Sequence, residues 1–147
     1  MTSIEIVPVT VVDPALVEAV RRLLPQLSAS AAAPDLDDLQ AIVATPGTTM
    51  LLARETAGTH AIVGMLTLVT FRIASGLRAW IEDVVVSDSV RGRGVGEALS
   101  RAAIERARDQ GARTVELTSR PQRTAANALY QKLGFIRRDT TVYRLAL

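Results

Sequence analysis

The chain has no cysteine in its 147 residues. That excludes disulfides, thiolate metal ligands and a cysteine nucleophile. Histidine occurs once, at His60, so a Ser–His–Asp arrangement would have to be built around that residue. His60 falls beside a turn, where it reads as an ordinary surface side chain. Lysine also occurs once, at Lys132, and every other basic residue is an arginine. Charge of one sign is lacking too. The net charge of +2 gives the surface no general affinity for nucleic acid or an anionic membrane, so neither partner is expected. Long hydrophobic runs are missing. The longest, Ala61 to Phe71, is too short to span a bilayer as a helix. Met1 to Val12 has no basic segment followed by an apolar one, so no signal peptide is read and a cytoplasmic location is expected.

What is present suits a globular chain. Hydrophobic residues make up 48% and charged ones 22%, and the length suits one domain, 1–147, with a sizeable core. Ile4 to Val9 reads as a strand. Asp13 can cap a helix that carries Pro14 in its first turn and repeats Leu16, Val20, Leu23 and Leu24 at helical spacing. Asp35 can cap a second helix with Leu36, Leu39, Ile42 and Val43 on one face. Met50 to Ala53 and Ala61 to Phe71 read as a hairpin about Ala57-Gly58, with Gly64 a candidate bulge. Ser75-Gly76 turns the chain into a further strand. Gly111 stops a helix, Thr114 to Thr118 is a strand, and Pro121 opens a last helix ended by Gly134. Phe135-Ile136 and Thr141 to Leu145 read as short terminal strands.

The most informative stretch runs from Glu82 to Leu99. Val84, Val85 and Val86 are consecutive and β-branched, as in a strand covered on both faces. Ser87, Asp88 and Ser89 break it. Arg91-Gly92-Arg93-Gly94-Val95-Gly96 follows, and then a helix from about Val95. Strand, glycine loop and helix start make an anion site, because unpaired N–H groups and the positive end of the dipole meet there. The Walker loop fails here, since no lysine or hydroxyl follows Gly96, and the dinucleotide fingerprint fails because its third glycine would fall on Glu97.

The loop resembles the Arg/Gln-x-x-Gly-x-Gly/Ala motif of the GNAT acetyltransferase superfamily. Downstream, Ala126-Asn127-Ala128-Leu129-Tyr130-Gln131-Lys132-Leu133-Gly134-Phe135 is similar to that superfamily's last helix. The resemblance covers Ile81 to Phe135. It implies an α/β (α+β) GNAT fold, a mixed twisted sheet of six to seven strands with about four helices and a parallel strand–helix–strand cofactor unit. It also implies acetyl-CoA as co-substrate, no metal, an amine acceptor and a homodimer.

The residue roles follow from the same resemblance. The loop amides from Arg91 through Gly92, Arg93, Gly94 and Val95 to Gly96 would hold the pyrophosphate. Val84, Val85 and Val86 would line the cofactor, and Asn127 would contact its pantetheine arm. A strand bulge would free a backbone N–H at Val84 or a neighbour for the thioester carbonyl. Tyr130 would protonate the departing sulfur. Asn127 and Tyr130, three apart, share a helix face. Trp80 to Val86 also resembles amino-sugar acetyltransferases, in which a Glu-Asp pair shapes the acceptor site. Glu82 is the candidate base, since an amine with a pKa near 10.4 must lose a proton before attack. Strand alternation sets Glu82 and Val84 on one face and Asp83 and Val85 on the other. The alternatives are a catalytically silent CoA-binding module of the same fold, and a different phosphate-ligand binder.

Overall fold

A computed structural model describes residues 3–147. The chain divides into two compact units, one ending at Leu117 and one from Thr118 to Leu147. The first holds a five-stranded sheet in sequence order: β1 (Ile4–Pro8), β2 (Thr48–Glu55), β3 (Ile62–Ile73), β4 (Gly76–Val86) and β5 (Thr114–Glu116). The first four strands pair antiparallel and β5 pairs parallel to β4. The sheet is therefore mixed, as expected, with five strands where six to seven were expected.

Local chemistry sets the helix ends. Helix α1 (Pro14–Leu23) starts where the Asp13 carboxylate accepts from the Leu16 N–H at 2.8 Å, with Pro14 at its first position. Such a cap contributes about 1 kcal/mol. A 3-10 turn, Leu24–Gln26, extends the helix through Pro25. Helix α2 (Leu36–Ala44) has a reciprocal capping box between Asp35 and Asp38. Helix α3 (Val95–Asp109) ends at Gly111, whose positive φ lets Gly111 and Ala112 donate back to Arg108 and Ala107.

The helices cover the two sheet faces differently. Leu16, Val20 and Leu23 of α1 and Leu39 of α2 bury Met50, Leu52, Met65 and Val85. Register puts Leu51, Ala53, Gly64, Leu66, Leu68 and Ile81 on the opposite side. Gly64 marks that side as the one against α3: a Cβ there would meet Leu99 and Val95 side chains at 3.1 and 3.2 Å. The residue squeezed out of register is its neighbour Val63, between the pairs Ala53–Gly64 and Arg54–Ile62. Gly64 is thus required for close approach of the helix, and the bulge lies next to it.

Residues from Thr118 form a smaller unit around helix α4 (Thr124–Lys132). Pro121 lies in the turn before α4, three residues ahead of its start. The terminal strands expected at 135–136 and 141–145 do not form. Ile136, Val142, Tyr143 and Leu145 are 85%, 70%, 90% and 84% exposed. Alternation in sequence supplies a strand's side-chain pattern, but a strand also needs a paired neighbour.

Candidate active site

Strand β4 carries the acidic pair. Thr67 pairs with Glu82 and Met65 with Val85, so Leu66 alone opposes Asp83 and Val84. This is a β-bulge, at the place the sequence reading asked for one. Asp83 takes a φ of 50°, in the left-handed region that aspartate tolerates better than most residues. The bulge corrects the expected alternation. Thr67 and Met65 lie two apart on one face of β3, so their partners Glu82 and Val85 share a face, three residues apart. Glu82 and Asp83 are both exposed at the bulge. The Val85 side chain is buried with α1 and α2, so only its backbone is available to a ligand.

Beyond β4 the chain makes a 3-10 turn, Asp88–Val90. The Ser87 N–H donates to the Val63 carbonyl and the Asp88 N–H to Gln26 Oε1, which ties the turn to β3 and to the end of α1. Arg91 pairs with Asp88 at 2.9 Å on the surface, and Arg93 is exposed. Gly92 and Gly94 both have a φ of 78°. A Cβ at either would meet nothing within 4 Å, so the backbone there faces open space. Gly94 caps α3 without any side-chain hydrogen bond, and the helix's first internal bond runs from the Ala98 N–H to the Gly94 carbonyl. The N–H groups of Val95, Gly96 and Glu97 therefore lie outside the helical ladder. This geometry fits a phosphate group: amides outside the helical ladder, a dipole end and no side chain in the way.

In the second unit, Tyr130 is buried on α4. Gly134, with a φ of 98°, lets its own N–H and that of Phe135 donate to the carbonyls of Gln131 and Tyr130. That is a Schellman ending, whose accompanying apolar contact joins the residues at its two ends. Here the contact is Phe135 against Tyr130, edge to face, with ring centroids 5.8 Å apart. The Gly-Phe pair therefore orients the tyrosine ring. Phe135 is the positioning residue that sequence reading missed, although the glycine before it signalled the cap. Burial pushes the Tyr130 hydroxyl above the ordinary phenol value, and the Arg123 guanidinium opposes this. Asn127 donates from Nδ2 to the Arg120 carbonyl at 3.0 Å, tying α4 to the turn before it.

The structure brings Glu82, the bulge, the three valines and the glycine loop together in the first unit, and Asn127 and Tyr130 together in the second. His60 is exposed, with Nδ1 3.2 Å from the Glu55 carbonyl. No group of acidic or histidine side chains fit to hold a metal occurs among the described residues. Among the described residues no helix is long and apolar enough to cross a membrane.

The profile of the Acetyltransferase (GNAT) family matches residues 16–135. The chain belongs to this GNAT family. The family match takes in β4, the glycine loop, α3 and α4. Similar relatives include the mycothiol acetyltransferase of Paenarthrobacter aurescens, 48% identical over 59 residues, which are 40% of this chain and 18% of that protein. The L-methionine sulfoximine/L-methionine sulfone acetyltransferase of Pseudomonas aeruginosa is 34% identical over 63% of this chain and 53% of its own length. The chain thus spans from under a fifth to about half of these relatives. Among solved structures, a Trypanosoma brucei acetyltransferase matches this GNAT chain with a TM-score of 0.81 and 27% identity, over 99% of this chain and 100% of that one.

Proposed function

We propose that the chain is an N-acetyltransferase that moves an acetyl group from acetyl-CoA directly to a primary amine, in one domain spanning both units. The observation that carries this is the continuous run of bulged strand, glycine loop and uncapped helix start. Acetyl-CoA supplies an acetyl group activated as a thioester. The amides of the glycine loop through Val95 and Gly96 receive its pyrophosphate, with Arg91 and Arg93 adding positive charge. Val84, Val86 and the backbone of Val85 line the arm beside it, and the remaining amide group of Asn127 reaches the pantetheine. A backbone N–H freed at the bulge donates to the carbonyl oxygen as it gains charge.

Glu82 takes the proton that the amine sheds, and Tyr130 gives its own to the departing sulfur. A new N–C bond replaces the S–C bond, and the products are an amide and free thiol. Tyr130 suits its role because its hydroxyl keeps its proton at neutral pH. That two relatives carry names of acetyltransferases supports the reaction class. A cytoplasmic homodimer remains part of this reading on family grounds.

Incubation with acetyl-CoA and a panel of amines, following free thiol, tests the reading. Glu82→Gln is expected to lose activity mainly near neutral pH and to recover as alkali deprotonates the amine unaided. Parallel rate–pH profiles for the two proteins would remove Glu82 from the base role. Acetyl-CoA binding without transfer to any amine would leave a silent binding module instead.

A further inference from the structure

Arg78, Trp80 and Glu82 follow one another at alternate positions of β4, ahead of the bulge, in unbroken register with Phe71, Val69 and Thr67 of β3. All six side chains therefore project from one sheet face. It is the face that carries Met65 and Val85, where α1 and α2 cover the neighbouring strands. Arg78, Trp80, Phe71 and Val69 lie outside that buried cluster. Trp80 and Val69 are partly buried, and Phe71 is 37% exposed. An apolar, partly aromatic ledge thus runs between a guanidinium and a carboxylate.

The two charges at its ends are unengaged. Some surface arginines pair with carboxylates, as in Arg54–Glu5, Arg91–Asp88 and Arg101–Glu97. The side chains of Arg78 and Glu82 make no ion pair or hydrogen bond among the described residues. Four strand residues separate their Cα atoms by about 13 Å, so they do not neutralise each other across Trp80. Glu116, beside Trp80 across the parallel pair, is already engaged.

We propose that this ledge binds the acceptor, and that the acceptor is an amine with an anionic group, carboxylate or phosphate, at the far end of a flat or ring-shaped body. The ammonium end lies at Glu82, the body lies over Trp80, and the anion meets Arg78. This rests on the acetyltransferase reading, which puts the reacting amine at Glu82. Each part of the ledge has its own preference. An indole face attracts ring bodies and cations, and a guanidinium matches carboxylate and phosphate geometry. Trp80 and Arg78 are then specificity-determining residues.

Trp80 is the only tryptophan, so intrinsic fluorescence reports occupancy of the ledge whether or not transfer occurs. The probes are 4-(aminomethyl)benzoate, with amine and carboxylate at opposite ends of a ring, and benzylamine, which lacks the carboxylate. Titration with the first is expected to change Trp80 emission saturably, with an affinity at least about fivefold tighter than for benzylamine. Arg78→Gln is expected to bring that ratio to about one, and Arg78→Glu to below one. A parent protein that binds both probes equally, or neither, overturns the proposal, as does an Arg78→Gln variant that keeps the preference. The thiol-release assay separates the two readings. Transfer to amines with no preference for the anionic probe defeats the ledge alone, whereas no transfer to any amine defeats the acetyltransferase reading.

Discussion

Tyr130 owes its orientation to the way its helix ends. The Gly134 turn brings Phe135 back against the ring, and burial keeps the hydroxyl protonated. If that hydroxyl protonates the sulfur, Tyr130→Phe is expected to lower turnover roughly 100-fold or more with acetyl-CoA affinity little changed. Steady-state kinetics with calorimetry check this, and a turnover within about threefold of the parent would show that the thiolate leaves unaided. The same variant has a thermodynamic signature. A hydroxyl whose pKa is raised by folding contributes stability that is present below the unfolded phenol value and is lost as pH rises through the folded one. The parent is therefore expected to lose more stability than Tyr130→Phe above about pH 10. Of the candidate site residues, Glu82, Gly94 and Tyr130 stand out in sequence because each sits in a short local pattern. Phe135, Trp80 and Arg78 were not read as site residues, because what each does depends on a partner set by a cap or a register.

At the scale of elements, local signals proved dependable. Asp13 and Asp35 cap the helices they precede, and Gly111 and Gly134 end theirs. These contacts close within a few residues, so sequence alone determines them. The terminal strands were misread because Thr141 to Leu145 needs a distant partner to become a strand. The glycine loop offers a test that separates folding from binding. Gly94 has a positive φ, so any replacement there strains the backbone. Gly96 lies in the first turn of α3, where an acidic side chain suits the helix dipole. Gly96→Asp is therefore expected to leave thermal stability nearly unchanged while weakening acetyl-CoA binding at least about tenfold, by setting like charge against the pyrophosphate. Unchanged affinity by calorimetry would remove the anion role from this helix start.

At the scale of the molecule, one sheet serves two different tasks in the unit ending at Leu117. Its α3 side is packed closely enough to demand a glycine at position 64, and Leu66 at the middle of β3 is 0% exposed. Leu66→Ala is expected to cost about 2–5 kcal/mol, read as a fall in the urea midpoint with unchanged slope. The other side is left partly open, with Trp80 and Phe71 on it. The open and the covered parts of that one face meet at the bulge, which behaves as a change of phase. Up to Glu82 the strand keeps one beat of alternation, and from Val85 it keeps the opposite one. The extra residue is what allows Glu82 to stand on the open side while Val85, an odd number of positions later, stays in the core. Deleting Asp83 would leave Glu82 and Val85 two positions apart and still on one face, so it would flatten the bulge without carrying either side chain across the sheet. The core and the open ledge would both survive, and what the strand would lose is the unpaired stretch of backbone at the bulge, so a single codon decides whether β4 offers one.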